Sequence, residues 1–245
     1  MGRILCVANQ KGGVGKTTTS INLAVCLARA GQRALLIDLD PQCNATTGLG
    51  ANPVDRHPLV AAEPLRDNTL RIADDLHLLP GSRSFQDVEM LAKGGEASTL
   101  RKHLDTSIAA YDFVLIDCPP SLGKLTRAAL AAASEVLMPI QCEYFAMEGL
   151  TQMIHVIRDV MQQENNQLEF GGILLTMFDH YLELTHEVDQ EVREFFGEIV
   201  FDTVIPRDVL VCEAPSHGKA VVDYAPRSRG ARAYLELCME VLNRV

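Results

Sequence analysis

The sequence predicts a doubly wound α/β fold, in which a mostly parallel sheet carries helices on both faces. Short apolar runs alternate with longer helical patterns along the chain, an order that is typical of parallel sheets. Some of the runs, such as residues 113–116, are continuously apolar, as expected for strands that are buried on both faces. The 245 residues, 47% of them hydrophobic, suit the core of a single α/β domain spanning residues 1–245.

The individual elements follow from these patterns. We predict strands at residues 3–8, 33–38, 76–80, 112–117, 135–140, 172–176 and 200–205. We predict helices at residues 16–30, 84–92, 97–110, 123–133, 147–164, 185–196 and 229–244. Gly31 provides the stop of the first helix. The Pro-rich stretch 51–75 is expected to form a loop with one or two short helical turns.

Composition disfavours several classes of function. The formal net charge is −10, so any contact with DNA requires a local basic patch. Aromatic residues make up only 5% of the chain, which disfavours binding of single-stranded nucleic acid by stacking.

The seven cysteines are scattered without a C-x-x-C pair and are expected to be reduced thiols. Without a visible signal peptide or spanning segment, we expect a cytoplasmic protein, with nucleoid association as a further expectation.

A glycine-rich loop with the sequence KGGVGKT lies at residues 11–17, between the first strand and the first helix. Glycines allow backbone N–H groups to close around phosphate oxygens, and the helix N-terminus adds positive partial charge. Lys16 is placed to reach the β- and γ-phosphates, and the Thr17 hydroxyl to bind Mg²⁺. The loop therefore predicts an ATPase that uses ATP and Mg²⁺. Gln10 stands where the usual pattern has its first glycine, and a simple turn between strand and helix is the alternative.

A second lysine, Lys11, begins this loop. A charge beside the bound phosphates could stabilise the transferring phosphoryl group, on the protein's own nucleotide or on that of a partner subunit. The alternative is an ordinary solvated lysine.

Carboxylates follow two of the predicted strands. Asp117 ends the strand at 112–117, where a Walker B aspartate holds Mg²⁺ through water; capping of the next turn is the alternative. Asp40 follows the strand at 33–38 and could orient the attacking water. The predicted metal-site residues are Thr17, Asp40 and Asp117.

Several segments in combination closely resemble the ParA/Soj branch of the ParA/MinD ATPases, P-loop NTPases with a deviant Walker A loop. They are NQKGGVGKTTT at 9–19, LIDLDPQ at 36–42, LIDCPPS at 115–121, PIQCEYFAMEG at 139–149, VIPR at 204–207, EAPS at 213–216 and SRGA at 228–231. The resemblance covers nearly the whole chain and is weakest over residues 51–110.

The resemblance implies an ATP-bound sandwich dimer that hydrolyses slowly. Lys11 would reach across to the partner's phosphates, Gly12 would allow close approach of the two subunits, and Asp40 would be needed for hydrolysis. The catalytic residues expected are Lys11, Lys16 and Asp40. The nucleotide-binding residues expected are Lys11, Gly12, Gly13, Val14, Gly15, Lys16, Thr17, Thr18, Met177, Pro206, Arg207 and Asp208.

The resemblance also implies nonspecific binding of double-stranded DNA by the ATP dimer, and stimulation by a ParB-like partner. Four positions depart from the family pattern. At two of them, Tyr181 and Leu210 stand where arginines that contact DNA are typical. Asp208 replaces a common Asn, and Cys43 a common Gly. The remaining candidates for DNA contact are Lys219, Arg227, Arg229 and Arg232. The last helix carries glutamates and only one late arginine, so we expect it to pack on the domain and not to bind a membrane.

Three functions remain open from the sequence. The first is segregation of chromosomes or plasmids with a ParB-like partner. The second is positioning of a protein cargo, such as a chemoreceptor cluster or a microcompartment, with weak DNA binding or none. The third, disfavoured because no second substrate site is visible, is a metabolic P-loop enzyme that phosphorylates a small molecule.

Overall fold

The computed structural model describes residues 2–58, 65–83, 100–101, 104, 108–144 and 146–244. The predicted helix at 84–92, and the greater part of the one at 97–110, lie outside these residues. Residues Ile108–Ala110 form a 3₁₀ turn that leads into the next strand.

A mostly parallel sheet organises the described chain. Its strands run in the order β3-β4-β2-β5-β1-β6-β7-β8, and only β3 and β4 pair antiparallel. The strands are β1 Arg3–Val7, β2 Ala34–Asp38, β3 Leu70–Ala73, β4 Leu76–Leu79, β5 Phe113–Asp117, β6 Glu135–Gln141, β7 Glu169–Phe178 and β8 Val200–Pro206. The predicted doubly wound fold is confirmed, and each of the seven predicted strands is present.

Helices cover both faces of this sheet. They are α1 Lys16–Arg29, α2 Asn44–Gly48, α3 Lys124–Ala132, α4 Ala146–Gln163, α5 Glu183–Phe196, α6 Val209–Glu213, α7 Val221–Tyr224 and α8 Arg229–Asn243. Alternate strand residues face opposite sides, so the sheet separates two hydrophobic cores. Leu5 and Leu115 pack with α1, α7 and α8. Cys6 and Ile116 pack on the other face, with α3, α4 and α5.

The sequence prediction was wrong in one region and missed short helices in three others. Residues Leu70–Ala73 form the edge strand β3 and not a loop, although most of its side chains are exposed and leave no alternating pattern. The helices α2, α6 and α7 were not predicted, since four or five residues are too few to show a helical period. None of the described helices has both the length and the apolarity needed to cross a bilayer.

Candidate nucleotide site

The phosphate loop lies at the carboxyl edge of the sheet, where the chain leaves β1 for α1. β1 is flanked by β5 on one side and β6 on the other. Connections depart to opposite sides around this point, and α/β sheets bind their ligands in such crevices. The site therefore draws side chains from the ends of several strands.

The backbone of the loop requires glycine at two points. Gly13 has φ of 75° and Gly15, at the N-terminus of α1, has φ of 86°; both lie in the left-handed region that favours glycine. The loop is also tied to neighbouring strands. The Asn9 amide donates to Pro139 O at 2.8 Å and accepts from Lys11 N at 3.0 Å. The Thr176 hydroxyl donates to Val14 O at 2.9 Å.

Lys16 lies inside the loop and is only 6% exposed. Its ammonium donates to Lys11 O at 2.9 Å, so it spans the loop that the sequence predicts will surround phosphates. Burial lowers the pKa of Lys16, while the charges of Asp117, Cys118 and Asp40 oppose that shift. Among the described residues no carboxylate forms an ion pair with it, which leaves a buried cation suited to an anionic ligand.

Asp117 lies beside Lys16 at the end of β5 and is fully buried. Thr17 Oγ1 donates to one carboxylate oxygen at 2.8 Å, and Ser20 Oγ donates to the other at 2.9 Å. Burial raises the pKa of Asp117 to about 8, with a further contribution from Asp38, while the hydroxyl bonds lower it. The structure thus brings together two of the three predicted metal-site residues, Thr17 and Asp117. A hydroxyl next to a buried carboxylate is an oxygen donor set that suits Mg²⁺.

Two further carboxylates stand at the end of β2. Asp40 is 6% exposed, and its Oδ1 accepts from Gln42 N at 2.9 Å. Its charge acts on both Lys16 and Asp117, which places the predicted hydrolytic residue near the phosphate loop. Asp38 is fully buried, and burial raises its pKa to about 6.

Lys11, in contrast to Lys16, lies at the surface. Its ammonium forms an ion pair with Glu143 Oε2 at 2.9 Å, and the two side chains are 38% and 46% exposed. Glu143 follows β6, so this pair closes one side of the loop. The two lysines therefore occupy different environments, since Lys16 faces the interior of the loop and Lys11 faces solvent.

The residues predicted near the adenine lie at the carboxyl ends of β7 and β8. Met177 has φ of 53°, and Arg207 N donates to Phe178 O at 2.9 Å. Met177 follows Thr176, which contacts the loop. The Asp208 carboxylate accepts from Leu210 N at 3.0 Å and Gly230 N at 2.9 Å. Asp208 therefore caps α6 and ties it to the start of α8.

Sequence reasoning missed several residues of this site. Ser20 follows Thr17 by almost one helical turn, so the spacing alone could have placed it beside Asp117. Asn9 and Thr176 fasten the loop; Asn9 was noted only as part of the segment at 9–19, with no role, and Thr176 carried no signal of its own. Glu143 pairs with Lys11, 132 positions away, and Thr46 with Gly81, 35 positions away, and only the fold brings them into contact.

Comparison with known proteins decides the family. Residues 2–170 match a family model described as an AAA domain. The chain is 47% identical over 247 residues to the chromosome-partitioning ATPase Soj of Thermus thermophilus, covering 99% of this chain and 96% of that one. It is 44% identical over 254 residues to the chromosome partitioning protein ParA of Myxococcus xanthus, covering 100% and 89%. The chain belongs to the ParA/Soj family of ATPases.

A solved structure supports the nucleotide assignment for this ParA/Soj family member. Cobyrinic acid a,c-diamide synthase from Mycobacterium smegmatis, crystallised with bound ADP and magnesium, superposes with a TM-score of 0.85 at 34% identity. The match covers 99% of this chain and 94% of that one. The predicted P-loop fold is confirmed, and the prediction of ATP and Mg²⁺ is confirmed at the level of the family.

Proposed function

We propose that this protein is an ATP-dependent dimerisation switch, hydrolysing ATP slowly, that acts in DNA segregation together with a ParB-like partner. The observation that carries the proposal is the division between the two loop lysines. Lys16 is buried and spans the loop, whereas Lys11 faces solvent at its rim. A single subunit needs only the first to hold phosphates, and the second can act on a second copy once it leaves Glu143.

The residues present fit a magnesium nucleotide. Bound Mg²⁺ neutralises phosphate charge and orients the terminal phosphate. The loop at 11–17 would cradle the phosphates, with Lys16 as the buried cation. Thr17 and Asp117 would hold the metal, and Asp40 would orient the attacking water. Met177, Pro206, Arg207 and Asp208 would face the base from the same edge of the sheet.

The dimer follows from what lies at the mouth of the loop. Gly12 is exposed, and a Cβ placed on it would meet only Pro120 Cβ, at 3.9 Å, so the rim offers a smooth surface for close approach. Lys11 must exchange Glu143 for a partner's phosphate when the dimer forms. Since that ion pair is partly exposed, its loss costs little.

The test is oligomeric state as a function of nucleotide. Sedimentation velocity should show a dimer with ATP and a monomer with ADP. Lys11→Ala should still bind a fluorescent ATP analogue but remain monomeric, because the cross-subunit charge is gone. Lys124→Ala, an exposed lysine at the start of α3, is the matched control and should dimerise normally. Dimerisation of Lys11→Ala at wild-type nucleotide concentrations would refute the proposal.

A basic region around the start of α8 supports contact with DNA. It contains Lys219, Arg227, Arg229 and Arg232, all exposed, and none forms an ion pair within the part of the chain that the structure describes. The nearby Asp223 is neutralised by Arg29. Exposed cations without an ion-pair partner among the described residues are available to contact a phosphate backbone.

A second candidate function, positioning of a protein cargo, is favoured by the surface around α5. Tyr181 is 93% exposed, and residues 181–199 hold five of the ten large exposed apolar side chains found in the described chain. Leu184, Glu187, Glu191 and Phe195 follow one another at spacings of three and four residues, so they form one stripe of the helix. Exposed apolar groups suit contact with a protein partner, and the acidic groups beside them repel the phosphates of DNA.

DNA binding separates the two functions. The ATP-bound protein should bind nonspecific duplex DNA with an affinity that falls as salt rises, and Arg227→Ala/Arg229→Ala should weaken it and flatten the salt dependence. Absence of binding at low salt, with the ATP dimer confirmed, would leave the cargo function. The metabolic alternative would require a phosphorylated small-molecule product formed in proportion to the ATP consumed.

A further inference from the structure

Thr46 connects the segment that carries Asp40 to the end of a neighbouring strand. Its hydroxyl donates to Asp38 Oδ2 at 2.6 Å and accepts from Gly81 N, which follows β4, at 2.7 Å. The backbone N–H of Thr46 donates to the same Asp38 oxygen at 2.8 Å. Thr46 and Asp38 are both fully buried. Because one group both donates and accepts at this point, the position requires a hydroxyl.

The other oxygen of Asp38 reaches Asp40. Asp38 Oδ1 accepts from the backbone N–H of Asp40 at 3.2 Å. The last link to the sheet is one residue earlier, where Leu39 N donates to Asp117 O at 3.0 Å. Beyond that link, two contacts hold the backbone of Asp40. One is the Asp38 carboxylate, and the other is a turn in which Cys43 N donates to Asp40 O. A continuous path of hydrogen bonds therefore runs from Gly81 through Thr46 and Asp38 to Asp40.

The packing around this path leaves little freedom. A Cβ on Gly81 would lie 2.9 Å from both Cγ and Oδ2 of Asp38 and 3.1 Å from Cys43 Sγ. The backbone of Gly81 is thus pressed against the carboxylate, and only glycine fits there. Any shift of Thr46 would be passed to Asp38, because no space is available to absorb it.

We propose that Thr46 is a positioning residue for ATP hydrolysis. Its hydroxyl fixes Asp38, and Asp38 holds the backbone of Asp40 so that the Asp40 carboxylate stays beside the transferring phosphate. This inference rests on the proposed function, since it assumes that Asp40 acts in hydrolysis. Thr46 lies outside the phosphate loop, so binding of the nucleotide does not depend on it.

The test compares two variants of nearly the same size. Thr46→Val keeps the shape and removes the hydroxyl, whereas Thr46→Ser keeps the hydroxyl and removes a methyl group. Thr46→Val should lower kcat about tenfold or more, since small displacements of catalytic groups have effects of this order. KM, ATP affinity and ATP-dependent dimerisation should stay within about twofold, and Thr46→Ser should restore most of the rate. If Thr46→Val unfolds at the assay temperature, Thr46→Ala replaces it in the comparison with Thr46→Ser.

A double-mutant cycle distinguishes this role from a merely structural one. In an Asp40→Ala background, Thr46→Val should cause no further loss of rate, because its effect passes through Asp40. Two results would overturn the inference about Thr46 while leaving the role of Asp40 intact. One is that Thr46→Val lowers kcat equally in the wild-type and Asp40→Ala backgrounds. The other is that Thr46→Val has the wild-type rate although Asp40→Ala is slow. A wild-type rate for Asp40→Ala overturns the role of Asp40 in the proposed function, whatever Thr46 does.

Discussion

Replacement of Asp117 by Asn tests the electrostatics of the magnesium end of the site in the nucleotide-free protein. Burial, with Asp38 nearby, raises the pKa of Asp117 from 3.8 to about 8. Between these two values the folded protein binds a proton that the unfolded chain releases. The free energy of unfolding therefore falls as pH rises through this range, and it is highest when the carboxyl group is protonated.

The magnitude follows from one proton. A difference of one proton changes stability by about 1.4 kcal/mol per pH unit. The window from pH 6.5 to 8 isolates Asp117 from the other shifted groups. Asp38 has a pKa of about 6, so most of its titration lies below this window. Burial lowers the pKa of His57 from 6.5 to about 3, so its contribution to the pH dependence of stability also lies mainly below pH 6.5. Over this window the wild type should lose about 1.5 kcal/mol. For a chain of this size that is a fall in Tm of about 3–6 °C.

The assay is thermal and urea unfolding across this window, without nucleotide and with a chelator to remove divalent cations. Asp117→Asn should show almost no fall, since Asn cannot ionise. Asp112→Asn, at the opposite end of β5, is the control: the Arg33 hydrogen bonds lower the pKa of the partly exposed Asp112 to about 2, so its variant should keep the wild-type slope. The reasoning is refuted if Asp117→Asn also keeps that slope, because Asp117 would then be ionised in the folded protein.

Three further predictions follow from the same contacts. Lys16→Ala should abolish nucleotide binding measured by calorimetry, because the buried cation of the loop is lost. Asp40→Ala should bind ATP and dimerise but release phosphate at least about tenfold more slowly, and a fully active variant would remove Asp40 from the mechanism. Gly230→Ala should destabilise the fold by about 1–3 kcal/mol, since its Cβ would lie 2.2 Å from Val211 Cγ2. Gly149→Ala in α4, with open space around it, should instead be neutral or stabilising in the same urea titration.

The parts of the site that the sequence predicted are those whose chemistry is local. The phosphate loop could be predicted because Gly13 and Gly15 adopt left-handed φ values that other residues rarely adopt. Lys16 and Thr17 then begin the following helix. Strands such as β5 were predictable since all five residues are buried. In each case the cause lies within a dozen residues of the effect.

The rest depends on contacts that the fold creates. Cys43 is the N-cap of α2, and its φ of 56° suits the Gly that is common there. The sequence of α2, NATTG, is a poor helix former. It is held by Asp38, whose carboxylate accepts the N–H of Thr46. Pairing of Lys11 with Glu143 spans 132 positions. No local pattern encodes such a pair, since it exists only because β1 and β6 are neighbours in the sheet.

The two positions where arginines are missing differ in kind. Tyr181 is almost fully exposed, whereas Leu210 is partly buried and packs against the core on the α1 side. Leu210 thus belongs to the packing of α6, and only Tyr181 is a clean test of the DNA surface. Tyr181→Arg adds one cation beside Asp179 and Glu183, whose negative charges partly compensate it. The slope of log affinity for DNA against log salt concentration should therefore steepen by less than the ~0.9 expected for one full phosphate contact. An unchanged slope would show that DNA approaches only through the basic region around α8.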